Sequence, residues 1–184
     1  MKRTGLYIQL FSVHGLIRGK SPELGRDADT GGQVKYVLEL AKALGECEEI
    51  DRVDLVTRLI DDKAVAPDYA VPVEPLSKHA RIIRIRCGGK KYLRKELLWP
   101  HLEEFVDKTI KYIKRQKRIP DIVHGHYPDA GYVAAQLSEI FGIPLVYTGH
   151  SLGRVKRQRL SLGKSSLETL ERKYKFAIRT EAEE

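Results

Sequence analysis

No apolar run in this sequence is long enough to cross a membrane. The longest nearly uncharged stretch, Leu6 to Ile17, falls well short of the roughly 20 residues a spanning helix needs. That stretch also carries polar residues and no small-residue cleavage site, which argues against a secretory signal, so the chain is expected in the cytoplasm with no membrane partner. Cysteine is scarce. Cys47 and Cys87 lie far apart and form no CxxC pair, so neither a disulfide framework nor a zinc site is indicated, and both are expected to be buried thiols. No internal repeat, low-complexity segment or Pro, Gly or Ser bias marks a linker or a disordered tract. Several signature motifs are missing as well. Gly31 and Gly32 are adjacent, so "DTGGQV" is not GxGxxG, and no GK[ST] follows these glycines to make a P-loop. "GHSLG" at 149–153 is a GxSxG in name only, because no histidine follows position 150 to serve Ser151 as a nucleophile's base. No nucleic-acid-binding motif appears, and no nucleic-acid partner is expected.

What is present is a globular composition, 42% hydrophobic and 32% charged over 184 residues, enough for one α/β domain. The net charge of +8 is unevenly placed. Residues 78–118 hold 14 Lys/Arg against 4 Asp/Glu, and residues 151–179 hold 9 against 2, while the rest is acidic. Two such blocks suit phosphorylated small molecules, nucleic acid or an anionic surface, and equally suit two solvated helix faces.

Hydrophobic periodicity supplies the elements. "LYIQLF" alternates as a strand ending near His14, and Val34, Val37, Leu38, Ala41 and Leu44 are spaced for a helix that stops near Gly45. Residues 52–60 read as a second strand and 61–79, with Pro67, Pro72 and Pro75, as a loop. "RIIRIRC" reads as a strand with one polar face, and a helix begins near Pro100 with Leu102, Phe105, Val106, Ile110 and Ile113 as its stripe. "DIVHGHY" and "PLVYTGH" read as strands around the helix "AGYVAAQLSEIF". The final segment reads as helical, with Leu167, Leu170, Tyr174 and Ile178 on one face. Strands alternating with helices predict an α/β fold: a Rossmann-like, doubly wound, mainly parallel sheet with helices on both faces.

In such a sheet ligands bind beyond the carboxyl ends of the strands, which singles out four loops. The first brings Gly31 and Gly32 to the amino end of a helix, where free N–H groups can meet a sugar or an anion. A plain turn with Thr30 near the cap is the alternative. The second crowds Lys90, Lys91, Arg94 and Lys95, as a phosphate site or a solvated turn. In the third, His124 and His126 share a strand face, but no third ligand stands at a metal-site spacing, and one of the two is expected to be a core histidine bonded to backbone. The fourth offers His150, Ser151, Arg154, Lys156 and Arg157, a set suited to a sugar phosphate.

Five blocks, "HGLIRGKSPELGRDADTGGQVKYVLELAKAL", "TRLID", "RIRCGGKKYLRKELLWPHLEEFVD", "PDIVHGHYPDAGYVA" and "VYTGHSLGRVKRQRL", together resemble the amino-terminal domain of the sucrose-phosphate synthases, retaining glycosyltransferases of the GT-B fold. The resemblance runs from about residue 5 to the end; sucrose synthases share "DTGGQV" but less of the other blocks. It implies glucose transfer from UDP-glucose to fructose 6-phosphate, giving sucrose 6-phosphate and UDP with no metal or other cofactor. It also implies that residues 1–184 form the acceptor-binding domain, without the carboxyl-terminal donor domain and inactive alone. Carried over by motif, Gly31 and Gln33 contact sugar at the cleft and Gly32 keeps the loop open. Lys95, Tyr127, Ser151, Lys156 and Arg179 surround fructose 6-phosphate, with Lys156 and Arg179 nearest its phosphate, and His150 serves the reaction centre beside the donor glucose. One departure is "FAIRTEAEE", where Ile178 stands in place of a second arginine beside Arg179, so that one phosphate contact is either missing or supplied by Arg154 or Arg157.

Overall fold

The alternation of β1 (Leu6–Phe11) fixes the layering of the whole domain. Ile8 and Leu10 point to one side of the sheet and Phe11 to the other, so both faces must be covered by apolar elements. In the computed structural model, which describes residues 5–163 and 166–184, they are. Helix α1 (Gly32–Leu44) buries Val34, Val37, Leu38 and Ala41 against Ile8, Leu10, Val53, Leu55 and Ile82. Helices α2 (Leu102–Gln116) and α3 (Pro128–Phe141) cover the other face, packing Leu102, Phe105, Ile113, Val133 and Leu137 with Phe11, Val56 and Ile83.

The remaining strands are β2 (Ile50–Arg58), β3 (Val73–Pro75), β4 (Ala80–Ile85), β5 (Ile122–His126) and β6 (Leu145–Thr148), in the order β3-β4-β2-β1-β5-β6. All neighbours are parallel except the edge pair β3 and β4. The order reverses between β1 and β5, which opens the crevice at their carboxyl ends where doubly wound sheets hold ligands. Glycine makes the approach at that crevice possible. A Cβ on Gly125 would lie 2.7 Å from the Gly131 Cα, and one on Gly131 would lie 2.6 Å from the Tyr147 ring. Only glycine lets α3 begin this close to β5 and β6. No helix among the described residues is long and apolar enough to cross a membrane.

The structure corrects the sequence reading in four places. The proline-rich loop 61–79 contains the short strand β3, held because the buried Arg84 guanidinium donates to Glu74 at 2.5 Å and to the carbonyls of Val71 and Ile17. For the same reason the strand has no polar face at Arg84, which is buried, while the exposed Arg86 lies just past the end of β4. The last segment is three helices, α4 (Gly153–Ser161), α5 (Leu167–Tyr174) and α6 (Phe176–Glu181). Lys175, at φ 53°, turns the chain between the last two, so Leu167 and Ile178 are exposed while Leu170 and Phe176 are buried. Finally, Cys87 is buried but Cys47 is exposed.

Candidate functional site

Loops after β4, β5 and β6 converge on one cleft at the carboxyl edge of the sheet. Lys95, Tyr127, Lys156 and Arg179 line it together with Trp99, Asp129 and Tyr174, although they lie up to 84 positions apart. The enclosed space is small, about 10 Å³, room for a single water. The side chains close it by bonding one another. Arg179, almost fully buried, donates from Nη1 to the Tyr127 hydroxyl (2.6 Å), from Nη2 to the Ser151 carbonyl (2.6 Å) and hydroxyl (3.0 Å), and from Nε to Glu183 (2.9 Å). Its guanidinium also lies over the Tyr127 ring, 4.5 Å from the centroid. Tyr127 reaches this position with φ at 76°, a costly backbone for an aromatic residue, and His150 also has a positive φ of 54°.

The three cations differ in their compensation. Lys95 donates to Asp29 through both its backbone N–H (2.8 Å) and its ammonium, and Glu96 is 3.7 Å away. Burial alone would lower its pKa, but the hydrogen bond to Asp29 holds it above the ordinary lysine value. Arg179 has Glu183. Lys156 has no carboxylate partner among the described residues; its ammonium lies 4.7 Å from the centre of the Tyr174 ring. Burial pushes Lys156 below the ordinary value, and the Lys95 and Arg179 charges push in the same direction.

A second, neutral cluster adjoins the cationic one. His124 and His126 share a face of β5 with ring centroids 4.0 Å apart, and His126 Nδ1 lies 3.1 Å from His150 Nε2. Burial, with His124 and His150 adding to it, drives His126 down to about 3. Burial also lowers His124 and His150, so all three imidazoles are neutral near pH 7. His126 is the core histidine the sequence suggested, but among the described residues neither imidazole bonds to backbone: His124 Nε2 meets the Thr148 hydroxyl at 2.8 Å and His126 meets His150. Tyr36 of α1 stands edge-on to His150, 5.1 Å between centroids.

Gln33 turns toward this cluster, donating to the Ser12 hydroxyl (3.1 Å) and the His126 carbonyl (3.4 Å). Gly31 caps α1 without any side-chain bond, and a Cβ at Gly31 or Gly32 would meet nothing within 4 Å. Packing therefore does not demand these glycines; the space beside the helix's amino end is open. Thr30 is not the cap, since its hydroxyl bonds to Asp27 instead.

Of the other cations considered from the sequence, Lys90 faces Asp61, Arg94 and Arg157 are exposed, and Arg154 pairs with Glu184 away from the cleft. Sequence reading placed Asp129 in the third loop, "HGHYPDAG", without a partner, and missed three other contributors. Asp29 sits within the acidic "GRDADTGG" run, which was a usable signal for a lysine partner. Glu183 and His14 gave none. His14 Nδ1 and Asp129 Oδ2 meet at 2.8 Å across 115 positions. Burial would lower His14, but the Asp129 carboxylate holds it above its usual value. That pair supports Tyr127, whose ring centroid lies 4.8 Å from His14.

An open doubly wound sheet, with cations and neutral imidazoles gathered at its switch-point edge, defines a Rossmann-type ligand-binding domain. The chain belongs to the family described as the sucrose synthase first GT-B domain, whose model matches residues 4–183. It is 49% identical to sucrose-phosphate synthase 4 of Arabidopsis thaliana over 97% of its own length, and 47% identical to sucrose-phosphate synthase of Spinacia oleracea over all of it. It spans 19% and 20% of the lengths of those relatives. A solved sucrose-phosphate synthase from Thermosynechococcus elongatus superposes with a TM-score of 0.69 at 32% identity, covering 83% of this chain and 35% of that one.

Proposed function

We propose that this chain is the acceptor-binding domain of a sucrose-phosphate synthase, the part of a retaining glycosyltransferase that holds fructose 6-phosphate while glucose arrives from UDP-glucose. The products are sucrose 6-phosphate and UDP, formed in the cytoplasm. The observation that carries this reading is Lys156, a half-buried ammonium with two cationic neighbours and no ion pair to a carboxylate among the described residues. A phosphate dianion beside it relieves that repulsion, and Lys95 and Arg179 stand close enough to share the charge. Tyr127 and Ser151 supply hydroxyls for the sugar. Gln33 contacts the acceptor sugar at the cleft, while Gly31, Gly32 and His150 face the donor glucose from the other side of the crevice, where neutral imidazole suits a sugar better than a charge does. The role proposed for these residues is acceptor binding, and they span about one fifth of the length of those relatives.

Titration calorimetry with fructose 6-phosphate, and with fructose and glucose 6-phosphate as controls, tests the assignment. Millimolar dissociation constants are expected for the first ligand, about 4 kcal/mol of binding, and Lys156→Ala is expected to remove the heat. Binding to a folded chain that ignores the phosphate, or survives Lys156→Ala unchanged, counts against the assignment. The affinity has a pH signature as well. Lys156 must be protonated to hold phosphate and its pKa is depressed in the free chain, so affinity falls as pH rises through that depressed value, below the ordinary lysine range. Calorimetry in two buffers of different ionisation enthalpy is expected to register proton uptake on binding in that range, and none in Lys156→Ala.

A further inference from the structure

His126 is fully buried, yet the carbohydrate reading gives it no contact with substrate. Its surroundings are completely defined. Nδ1 meets His150 Nε2 at 3.1 Å, the ring lies against His124 on β5 and against Tyr36 on α1, and Gln33 holds its carbonyl. Nε2 is buried with no hydrogen-bond partner among the described residues.

A neutral imidazole carries one proton, and these contacts decide where it goes. With the proton on Nε2, the ring would bury an orphaned N–H, which folded proteins almost never do; with the proton on Nδ1, only a bare lone pair is left unmet. From this we infer that His126 is a positioning residue that donates its Nδ1–H to His150 Nε2 and so locks His150 in the Nδ1–H tautomer. The hydrogen bond made by one ring nitrogen sets the protonation of the other, so a strand residue out of reach of substrate dictates the hydrogen-bonding sense of an exposed loop residue. His150 then presents a single fixed N–H at Nδ1, the nitrogen without a partner among the described residues, and it can act as a donor but not as a base. The tautomer follows from this geometry alone; that the N–H serves a donor-sugar oxygen rests on the function proposed above. The strained backbone at His150, φ 54°, is consistent with a ring held in register with His126 at the expense of local comfort.

Nitrogen-15 NMR of the histidine-labelled chain near pH 7 reads the tautomer directly, because protonated and bare ring nitrogens resonate far apart. The expected spectrum shows His150 with Nδ1 protonated and Nε2 bare, and His126 in the same form. In His126→Phe, which keeps an aromatic ring in the cavity, His150 is expected to shift to the Nε2–H form that a free neutral imidazole prefers. His126→Asn, whose amide nitrogen can stand where Nδ1 stood, is expected to restore the Nδ1–H form. A wild-type His150 protonated on Nε2, or a tautomer that His126→Phe leaves unchanged, overturns the inference. Neither result bears on fructose 6-phosphate binding, so the calorimetric test stands or falls separately.

Discussion

Asp54→Ala is expected to lose about 3–5 kcal/mol of folding stability, the usual cost of removing one member of a buried ion pair. Asp54 is fully buried on β2 and accepts from five sources at once: Arg52 Nε (2.9 Å) and Nη2 (2.6 Å), Arg81 Nε (2.8 Å), and the hydroxyls of Tyr7 (2.7 Å) and Tyr112 (2.8 Å). Alanine leaves two guanidiniums facing each other and two buried phenols without an acceptor. Arg81 is one-third exposed, so solvent softens its share and favours the lower half of the range. Burial would raise the Asp54 pKa, but its hydrogen bonds to Arg52 and Arg81 hold it below the ordinary carboxylate value. A depressed native pKa contributes stability that is full above the unfolded value, near 3.9, and is lost as pH falls through the native one. Urea unfolding at pH 7 reads the loss, and at acid pH the gap between wild type and Asp54→Asn is expected to narrow. A loss below about 1 kcal/mol in Asp54→Ala would show that the network is replaceable by water.

The same network shows how far sequence reading reaches. The stripe Val34, Val37, Leu38 and Ala41 was legible because a helix must bury a face of fixed period, and β1 was legible because a parallel sheet buries both faces and so leaves the strand a short uncharged run. Those patterns are local. Strand β3 was not legible: three residues with Pro75 among them have no period, and what holds them is Arg84, which the pattern assigned to a solvent face. The break at Lys175 was hidden because no glycine marks it, and the apolar spacing runs on through Phe176 as if the helix continued. At the cleft the residue types and their loops could be read, since topology sends every strand's carboxyl end to one edge. Which cation is paired could not. Asp29 with Lys95, Glu183 with Arg179, and no carboxylate with Lys156 among the described residues are facts of three-dimensional proximity that no spacing encodes.

Glu183→Gln and Arg179→Ala are expected to move fructose 6-phosphate binding in opposite directions, although both weaken the fold. Glu183 sets one oxygen 2.9 Å from Arg179 Nε and the other 2.6 Å from the Gly153 N–H at the start of α4. A carboxylate bridging a guanidinium and a helix amide occupies the donors that two phosphate oxygens would use. With only about 10 Å³ free in the cleft, a phosphate bound as proposed would exchange such internal bonds for its own. Arg179→Ala removes the donor itself, along with the bonds to Tyr127 and Ser151, and is expected to abolish measurable binding and cost about 3–5 kcal/mol of stability. Glu183→Gln removes the competing charge, but with its oxygen accepting from Gly153 its amide N–H faces the Arg179 Nε–H, so the guanidinium loses an acceptor too. The stability loss is therefore expected to be of the same order, about 3–5 kcal/mol, while the freed guanidinium is expected to tighten sugar-phosphate binding about tenfold, or 1.4 kcal/mol. Thermal unfolding and calorimetry on the two variants separate the effects. If Glu183→Gln instead weakens binding in step with stability, Glu183 is part of the pocket's frame and the phosphate does not displace it from Arg179.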